Sequence, residues 1–475
     1  MAKKKVYMEK YFELKKNGTS IKQEFVAAFV TFCSMVYILI VNANMYTNPF
    51  GNGENVLGLP FGAIYIGTAL SAVVGCMLLG FIAKLPIAMA SGMGLNAFFI
   101  YTACIALGFS YENALLIILA EGLIFLILTL TGGLKKIYEA IPDSIRLSIS
   151  VGIGLFIALL GLMNSGIIIS NKATGLALNS FNILNVPLQQ SLPAYITIFS
   201  LFVIAVLIKK NIKGAILWGI LTGVFLYYSV LWFFPGSHHE INIETLNPMI
   251  SLKEFFEYSF AKVFTSGLDF SNYIAKHGFT NFLLTVVTTT ISFCLINIFD
   301  NIGTLQATCE YGNLLKNKGI PEINKAMTAS SIATMAGATM GISTVTSYVE
   351  SATGMAEGGK TGLTAIFVGI FFFIAIFFSP IAQLVPGCAT SAALIYIGVL
   401  MMSSVKNVDW QNIEHALPAF LTICMMPYTC NISNGIAFGL LSYVIINLFI
   451  GKVKEIKPAT WVIVILFLTM LLLSH

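Results

Sequence analysis

The sequence predicts an all-α polytopic membrane protein, and three observations lead to that fold class. Of its 475 residues, 57% are hydrophobic and only 10% are charged, whereas soluble domains carry about 25% charged residues. Apolar runs long enough to cross a bilayer recur from Phe25 to Leu473. The stretch before Phe25 is polar and rich in lysine, without the apolar core of a cleaved signal peptide. The first apolar run is therefore expected to be its own insertion signal.

Fourteen apolar segments are close to the roughly 20 residues that a helix needs to cross the hydrocarbon core. They are 25–46, 61–83, 86–107, 112–132, 144–165, 193–208, 214–234, 281–308, 326–341, 343–357, 361–385, 388–403, 415–431 and 434–450. A further apolar run, 459–474, follows a basic stretch and is compatible with either an additional span or a helix packed against the bundle.

The distribution of lysine and arginine orients these segments, because such residues collect in cytoplasmic loops. With the N-terminus inside, 22 of the 26 basic residues fall on the inner side, and the exceptions are Lys172, Lys253, Lys262 and Lys276. We therefore predict a multi-pass protein of the cell membrane with a cytoplasmic N-terminus. The basic balance indicates contact with anionic lipid and gives no reason to expect a nucleic-acid partner.

A long outside loop divides the segments into two groups of seven. The predicted parts are a cytoplasmic tail (1–24), a first seven-helix repeat (25–234), an extracellular connecting loop (235–280), a second seven-helix repeat (281–450) and a C-terminal segment (451–475). Because each repeat has an odd number of spans, the two repeats enter the membrane from opposite sides. We therefore expect two inverted seven-helix repeats.

The third segment of each half is rich in residues that weaken a helix. Segment 86–107 contains Pro86, a Ser-Gly-Met-Gly run and Asn96, and segment 343–357 is dense in serine, threonine and glycine. Interrupted spans at matching positions indicate the midplane site of a transporter, although small residues also allow close packing of intact helices. We expect helices 3 and 10 to be broken, so that free backbone groups face a polar ligand.

Three acids, Glu121, Asp300 and Glu350, lie well inside apolar segments. A charge at mid-bilayer costs about 2.5–3.5 kcal/mol, so an intramembrane acid indicates a functional site. Asp300 and Glu350 adjoin further polar residues, and desolvation would favour their neutral forms, which suits them to take and release a proton near neutral pH. For Glu121, a structural hydrogen bond within the bundle is as compatible with the sequence as a functional role.

Residues 354–361 (GMAEGGKT) fit the G-x-x-x-x-G-K-T pattern of phosphate-binding loops. That pattern needs a buried strand before it and a soluble α/β domain around it, whereas here it joins two membrane segments. We interpret it as a tight cytoplasmic turn. The eight cysteines include no C-x-x-C pair and the five histidines show no metal spacing, so we expect neither a metal nor another cofactor.

Three ordered motifs resemble the hypoxanthine/guanine/adenine permease branch of the nucleobase-cation symporter (nucleobase/ascorbate transporter) superfamily. The motifs are 91–99 (SGMGLNAFF), 299–305 (FDNIGTL) and 346–351 (TSYVES), the last running on to 358–364 (GGKTGLT). The likeness extends from about Tyr11 to Gly451. It implies a secondary transporter, not an enzyme, that imports hypoxanthine, guanine or adenine by proton symport with alternating access.

The resemblance also implies an architecture and a site. Helices 1–4 and 8–11 would form a core domain and helices 5–7 and 12–14 a gate domain, with the purine between broken helices 3 and 10. By motif, Glu350 would hydrogen-bond the purine, and Asp300 would bind it or carry the coupling proton. Asn96 would support the site from the third helix and Tyr348 would line it. The broader family suggests a homodimer.

Other functions stay open on the sequence alone. A transporter of another small organic solute or anion would share the fold, but two acids at the centre would repel an anion. A membrane-embedded hydrolase or P-loop ATPase would turn over nucleotide and depend on Lys360. A channel would show flux without saturation or proton coupling.

Overall fold

The computed structural model describes residues 9–51, 53–171, 175–181, 188–233, 247–314 and 322–473. Lys172, part of the predicted connecting loop (235–246) and the ends of the predicted terminal segments (1–8 and 474–475) lie outside the described residues. Within those ranges, ten helices are long and apolar enough to cross a membrane. They are Ile21–Thr47, Phe61–Ala83, Tyr111–Leu130, Asp143–Asn164, Ser191–Lys209, Ala215–Phe233, Phe279–Tyr311, Gly362–Gln383, Gly387–Asn407 and Ile432–Ile450.

The helices of the described residues are numbered in chain order, and twelve of those numbered lie in the first half and the connecting region. They are α1 (Ile21–Met35), α2 (Tyr37–Thr47), α3 (Phe61–Leu78), α4 (Met93–Ala97), α5 (Tyr111–Leu130), α6 (Gly133–Ala140), α7 (Asp143–Asn164), α8 (Leu188–Lys209), α9 (Ala215–Phe233), α10 (Pro248–Glu254), α11 (Lys262–Thr265) and α12 (Ser271–His277). Helices α3 and α4 continue as π-helix over Leu79–Ala83 and Phe98–Ala106.

The second half contains the remaining numbered helices. They are α13 (Phe279–Tyr311), α14 (Ile323–Thr339), α15 (Ser351–Ala356), α16 (Gly362–Ala375), α17 (Ser379–Gln383), α18 (Gly387–Met401), α19 (Ile413–Tyr428), α20 (Ile432–Ile450) and α21 (Pro458–Leu473). The last of these corresponds to the apolar run at 459–474, and it packs against α20 and α13.

Four of the fourteen segments expected from the sequence are not among the ten long apolar helices. Helix α14 has 17 residues, and α19 has 16 residues with Pro418 and Pro427 inside it. The third and tenth segments are interrupted, as expected, and each consists of a short strand followed by a helix. The reason is local, because glycine, serine and threonine at this density weaken a continuous helix.

Two small antiparallel sheets in the described part of the chain correct the expectation of an entirely helical protein. Strand β1 (Met89–Ser91) pairs with β4 (Val345–Ser347), so that Met89 lies opposite Ser347. Strands β2 (Ile168–Asn171) and β3 (Gly175–Leu178) form a hairpin between α7 and α8. The β1–β4 pair satisfies buried backbone groups that the two broken helices leave without intrahelical partners. It also joins the two halves of the chain at one point.

The long helix α13 runs between two groups of packed helices. It contacts α5, which packs against α14, and it also contacts α7, which packs against α18 and α19. Most of the middle of α13 is buried. This arrangement places the β1–β4 pair and α13 on one side of a cavity and the α7–α18 pair on the other.

Candidate functional site

A cavity of about 390 Å³ lies beside the β1–β4 pair. On one side its wall consists of α13, β4 and the residues that follow β4, and on the other side of α7 and α18. Of the four side chains that the sequence analysis assigned to a site, Asp300, Tyr348 and Glu350 line this cavity. Asn96 is fully buried and is not among the lining residues.

Two glycines allow the close approaches that shape this cavity. A Cβ at Gly92, just after β1, would lie 2.8 Å from Thr346 Oγ1 of β4. A Cβ at Gly94 would lie 2.5 Å from Ile153 Cγ2 on α7. Since Cβ contacts under 3.0 Å require something to shift, the Ser-Gly-Met-Gly run permits both the strand pairing and the packing of α4 against α7.

Glu350 occupies the junction between strand β4 and helix α15. Its Oε1 accepts a hydrogen bond of 2.6 Å from the Tyr37 hydroxyl at the start of α2. Tyr37 itself lines the cavity and is otherwise buried. The carboxylate is therefore fixed by a residue more than 300 positions away and keeps its second oxygen for other partners.

Asp300 lies near the middle of α13 and is partly exposed to the cavity. The Thr346 side chain of β4 lies beside its carboxylate. On the same helix, Gly303 and Thr304 continue the cavity wall. The cavity therefore receives one acid from a continuous helix and a second from a broken one, Glu350.

Tyr348 and Asn96 form hydrogen bonds that hold β1 and β4 beside the cavity. The Tyr348 hydroxyl donates a 2.5 Å hydrogen bond to the Ser91 carbonyl of β1, so it is the ring that Tyr348 offers to the cavity. Asn96 Oδ1 accepts hydrogen bonds from the Ser91 hydroxyl at 2.6 Å and from the Ser343 hydroxyl. Asn96 thus ties the end of β1 to the residues that precede β4.

Tyr37 and Arg146 are among the cavity-wall residues that sequence reasoning missed. Tyr37 falls in an apolar run where nothing distinguishes it from a packing residue, and only the fold brings it to Glu350. Arg146, the only arginine in the chain, was counted only as a basic residue on the inner side, at the start of predicted segment 144–165, and it lines the cavity from α7. Its guanidinium lies 3.9 Å from the Tyr138 ring centroid, and its Nη1 donates to the Tyr138 carbonyl at 3.1 Å.

The structure supplies a specific reason against nucleotide binding at residues 354–361. The fully buried carboxylate of Glu24 accepts hydrogen bonds from the backbone N–H groups of Lys360 and Thr364, at 3.0 and 3.1 Å. It also accepts from the Thr361 N–H at 3.3 Å. Backbone N–H groups at a helix start are the groups that would bind a phosphate. Here the chain's own carboxylate occupies that position at the start of α16.

A lysine substitution tests this interpretation of the motif. The Lys360 side chain is exposed, and its backbone N–H remains available to Glu24 in Lys360→Ala. We expect the free energy of unfolding of this variant to lie within about 0.5 kcal/mol of the wild-type value, as is usual for surface substitutions. We also expect purified wild-type and variant proteins to show equal, background-level ATP turnover. Lys406→Ala, at another exposed lysine, is the control, and ATP hydrolysis lost only in Lys360→Ala would contradict this interpretation.

Comparisons with known proteins extend over nearly the whole chain. The family model Xan_ur_permease, described as Permease family, matches residues 22–438. Guanine/hypoxanthine permease PbuO of Bacillus subtilis (strain 168) is 37% identical over 468 residues, covering 96% of this chain and 98% of the relative. Adenine permease AdeP of Escherichia coli (strain K12) is 33% identical over 462 residues, covering 97% of this chain and 95% of the relative.

A solved structure is similar to this fold at much lower sequence identity. The transmembrane domain of the cyanobacterium bicarbonate transporter BicA matches with a TM-score of 0.61 at 13% identity. The match covers 88% of this chain and 97% of that domain. At this level of identity the likeness concerns the fold.

Proposed function

The chain belongs to the Permease family, whose members are membrane transporters and not enzymes, and on this premise we propose that it imports purine nucleobases by proton symport with alternating access. The proposed substrates are hypoxanthine, guanine and adenine. The observation that carries the proposal is the pair of carboxylates, Asp300 and Glu350, on the wall of one cavity.

The chemistry of the cavity suits a purine. A purine has a flat face and an edge on which N–H donors alternate with ring-nitrogen acceptors, and a carboxylate accepts from such N–H groups. Hydrogen bonds to an ionised group are shorter and stronger than those between neutral groups. The Tyr348 ring and apolar residues such as Ile153 and Ile397 supply surfaces for a planar ligand. In this proposal Glu350 and Asp300 bind the edge of the purine, and Asn96 supports them from behind β1.

The named relatives support the same substrate class. PbuO and AdeP carry names for guanine, hypoxanthine and adenine, and both align with more than 95% of this chain. A shared purine core with different exocyclic groups is therefore the common chemistry that we carry over to this chain.

We further propose the architecture of fourteen spans in two inverted seven-helix repeats, with core and gate domains. Two observations support it. A strand followed by a helix occurs at the third position of each proposed half, and these strands, β1 and β4, pair antiparallel. The cavity lies between α13 and β4 of the proposed core and α7 and α18 of the proposed gate. Movement of one group against the other would then expose the cavity to alternate sides.

Coupling follows if the acids bind both proton and purine. When closure of the site requires Asp300 or Glu350 to be protonated or hydrogen-bonded, binding of proton and purine become thermodynamically linked. The proposal includes a cytoplasmic N-terminus, from the excess of basic residues on one side. The lipid bilayer and a second copy of this chain are the proposed partners.

Uptake of radiolabelled hypoxanthine, guanine and adenine by cells that lack purine transport tests the proposal. We expect saturable uptake that a protonophore abolishes and that replacement of external sodium leaves unchanged. Because both acids face the cavity, Glu350→Ala and Asp300→Ala should lose this uptake at wild-type membrane abundance. Well-expressed wild-type protein that takes up none of the three bases would refute the proposal.

The same assay separates purine import from transport of another small organic solute or anion. An anion would have to approach two carboxylates, and like charges at close range repel. Uptake of bicarbonate or an organic acid that purines do not inhibit would favour that second class of substrate.

A further inference from the structure

A chain of buried polar groups connects Glu121 on α5 with the cavity. Glu121 is fully buried, and its Oε1 accepts a 2.7 Å hydrogen bond from Asn297 Nδ2 on α13. Its Oε2 faces the Thr344 hydroxyl at 3.3 Å. Within the described residues, no lysine or arginine forms an ion pair with it. Burying an acid this deeply is costly unless hydrogen bonds or a function compensate for it. The proposed purine contacts of Asp300 and Glu350 do not involve Glu121.

The hydrogen bonds in this chain run in one direction. The Ser347 backbone N–H donates to Asn301 Oδ1 at 3.0 Å, and a backbone N–H can only donate. Asn301 Nδ2 must therefore be the group that faces Asn297, where it donates to the backbone carbonyl at 3.1 Å and to the side-chain oxygen. Asn297 is left with its NH₂ group for the far end. Only an acceptor satisfies that group, and Glu121 Oε1 is that acceptor.

The direction of these hydrogen bonds determines whether the Ser347 hydroxyl is a donor or an acceptor towards the cavity. Its hydroxyl donates to Asn301 Oδ1 at 3.1 Å, so only its lone pairs remain for a ligand. Ser347 lines the cavity together with Asp300 and Glu350. These three side chains then form a set of acceptors, which suits an edge that carries several N–H donors.

We propose that Glu121 is a positioning residue of the substrate site: it fixes the orientation of Asn297 and Asn301, and thereby holds Ser347 as an acceptor for the N–H groups of a purine. The proposal rests on the proposed function and deepens it. Glu121 does not touch the substrate and acts through the two amides.

The most discriminating test exchanges the acid and the amide between positions 121 and 297. This exchange reverses one hydrogen bond but leaves every donor of the hydrogen-bond chain paired with an acceptor. In Glu121→Gln/Asn297→Asp, the glutamine NH₂ donates to the new aspartate, which still accepts from Asn301, and the glutamine oxygen still accepts from Thr344. In Asn297→Asp alone, two carboxylates face each other and need a shared proton. In Glu121→Leu, the NH₂ group of Asn297 loses its acceptor.

Purine KM, maximal rate and the pH profile of uptake are the readouts. We expect Glu121→Leu to raise KM about tenfold or more, since an unsatisfied buried donor disturbs the chain. Asn297→Asp should transport poorly at alkaline pH and recover as the pH falls. The double variant should return KM to within about threefold of wild type across that range. Glu121→Gln, which retains an acceptor oxygen, should resemble the wild type.

Few titratable groups lie close to Glu121 in the described residues. From α13, Cys294 Sγ approaches the Glu121 backbone carbonyl at 3.7 Å, and Asp300 and Glu350 lie at the cavity end of the chain. In the described residues, α14 and the π-helix after α4 place no titratable side chain in hydrogen-bond contact with the Glu121 carboxylate. These groups are common to all four variants, so differences between variants report on residues 121 and 297.

Thr288→Val is the matched control on α13. Thr288 is buried, and among the described residues its hydroxyl bonds only its own helix, at 2.8 Å to the Leu284 carbonyl and 3.1 Å to the Thr285 carbonyl. It should keep wild-type KM, and thermal unfolding in detergent verifies that every variant is folded. A wild-type KM in Glu121→Leu, or a double variant no better than Asn297→Asp, overturns the positioning role. Absence of purine uptake by the wild type is a different result, and it refutes the proposed function itself.

Discussion

Replacing Glu350 with glutamine is expected to reduce the kcat/KM of purine uptake about tenfold to a hundredfold. The carboxylate is an acceptor at both oxygens, and one of them is already held by Tyr37. Glutamine keeps one acceptor oxygen and is neutral, so even when its NH₂ group turns to the Tyr37 oxygen, the charge-assisted hydrogen bond to the purine is lost. A hydrogen bond to a charged group contributes about 1.5–3 kcal/mol, and 1.4 kcal/mol corresponds to tenfold in affinity.

Initial uptake rates and equilibrium binding of labelled purine to purified protein measure this effect. Glu357→Gln is the matched control, because Glu357 lies seven positions further along, after α15, and pairs with Lys213 rather than lining the cavity. It should bind purine like the wild type. If Glu350→Gln also binds purine with wild-type affinity, Glu350 does not contact the substrate.

Replacing Glu24 with alanine is expected to cause the largest loss of stability among single substitutions considered for this chain, about 3–5 kcal/mol. The carboxylate accepts three backbone hydrogen bonds at the start of α16 and one from the Thr364 hydroxyl at 2.6 Å. Alanine would leave these donors buried without an acceptor, and each such group costs about 1–3 kcal/mol. It would also remove a negative charge from the positive end of the helix.

Thermal unfolding in detergent measures this loss. The midpoint is the temperature at which half of the monodisperse gel-filtration peak has been lost. Glu24→Gln keeps one acceptor oxygen, so its midpoint should fall between those of the wild type and Glu24→Ala. Glu13→Ala, at an exposed acid of the same N-terminal region, should shift the midpoint little. Equal midpoints for Glu24→Ala and the wild type would show that other groups satisfy the start of α16.

The elements that the sequence predicted well are those whose signal is local. A membrane helix is recognisable because about twenty consecutive residues are apolar, and all ten long apolar helices of the described chain fall on predicted segments. The interruptions near Gly92 and Thr346 were predictable for the same reason, since composition over a few residues weakens a helix. The strand character of these interruptions was missed, because β1 and β4 exist only by pairing with each other.

The residues of the candidate site also divide into those with a local sequence signal and those without one. Asp300 and Glu350 were identified as exceptions to the hydropathy of their own segments, and both line the cavity. The role of Tyr37 was not predictable, because it depends on contact with a residue 313 positions away. Glu121 stood out in the sequence as an acid in an apolar segment. Its connection to Ser347 through two amides was not predictable, because it depends on the packing of α5 against α13.

The amino-acid sequence was enough to identify a multi-pass helical membrane protein, its two interrupted segments, and the acids that are too costly to lie in a membrane segment without a purpose. Burial of apolar side chains and desolvation of charge depend on residue type and short-range order, so composition and spacing suffice for them. Three features required the folded structure: Glu24 binds the backbone N–H groups of the phosphate-loop pattern, Asn96 lies behind the cavity, and Glu121 ends the hydrogen-bond chain that leads to Ser347. Hydrogen bonds act over about 3 Å, and which groups come within that distance is set by the packing of segments far apart in the chain.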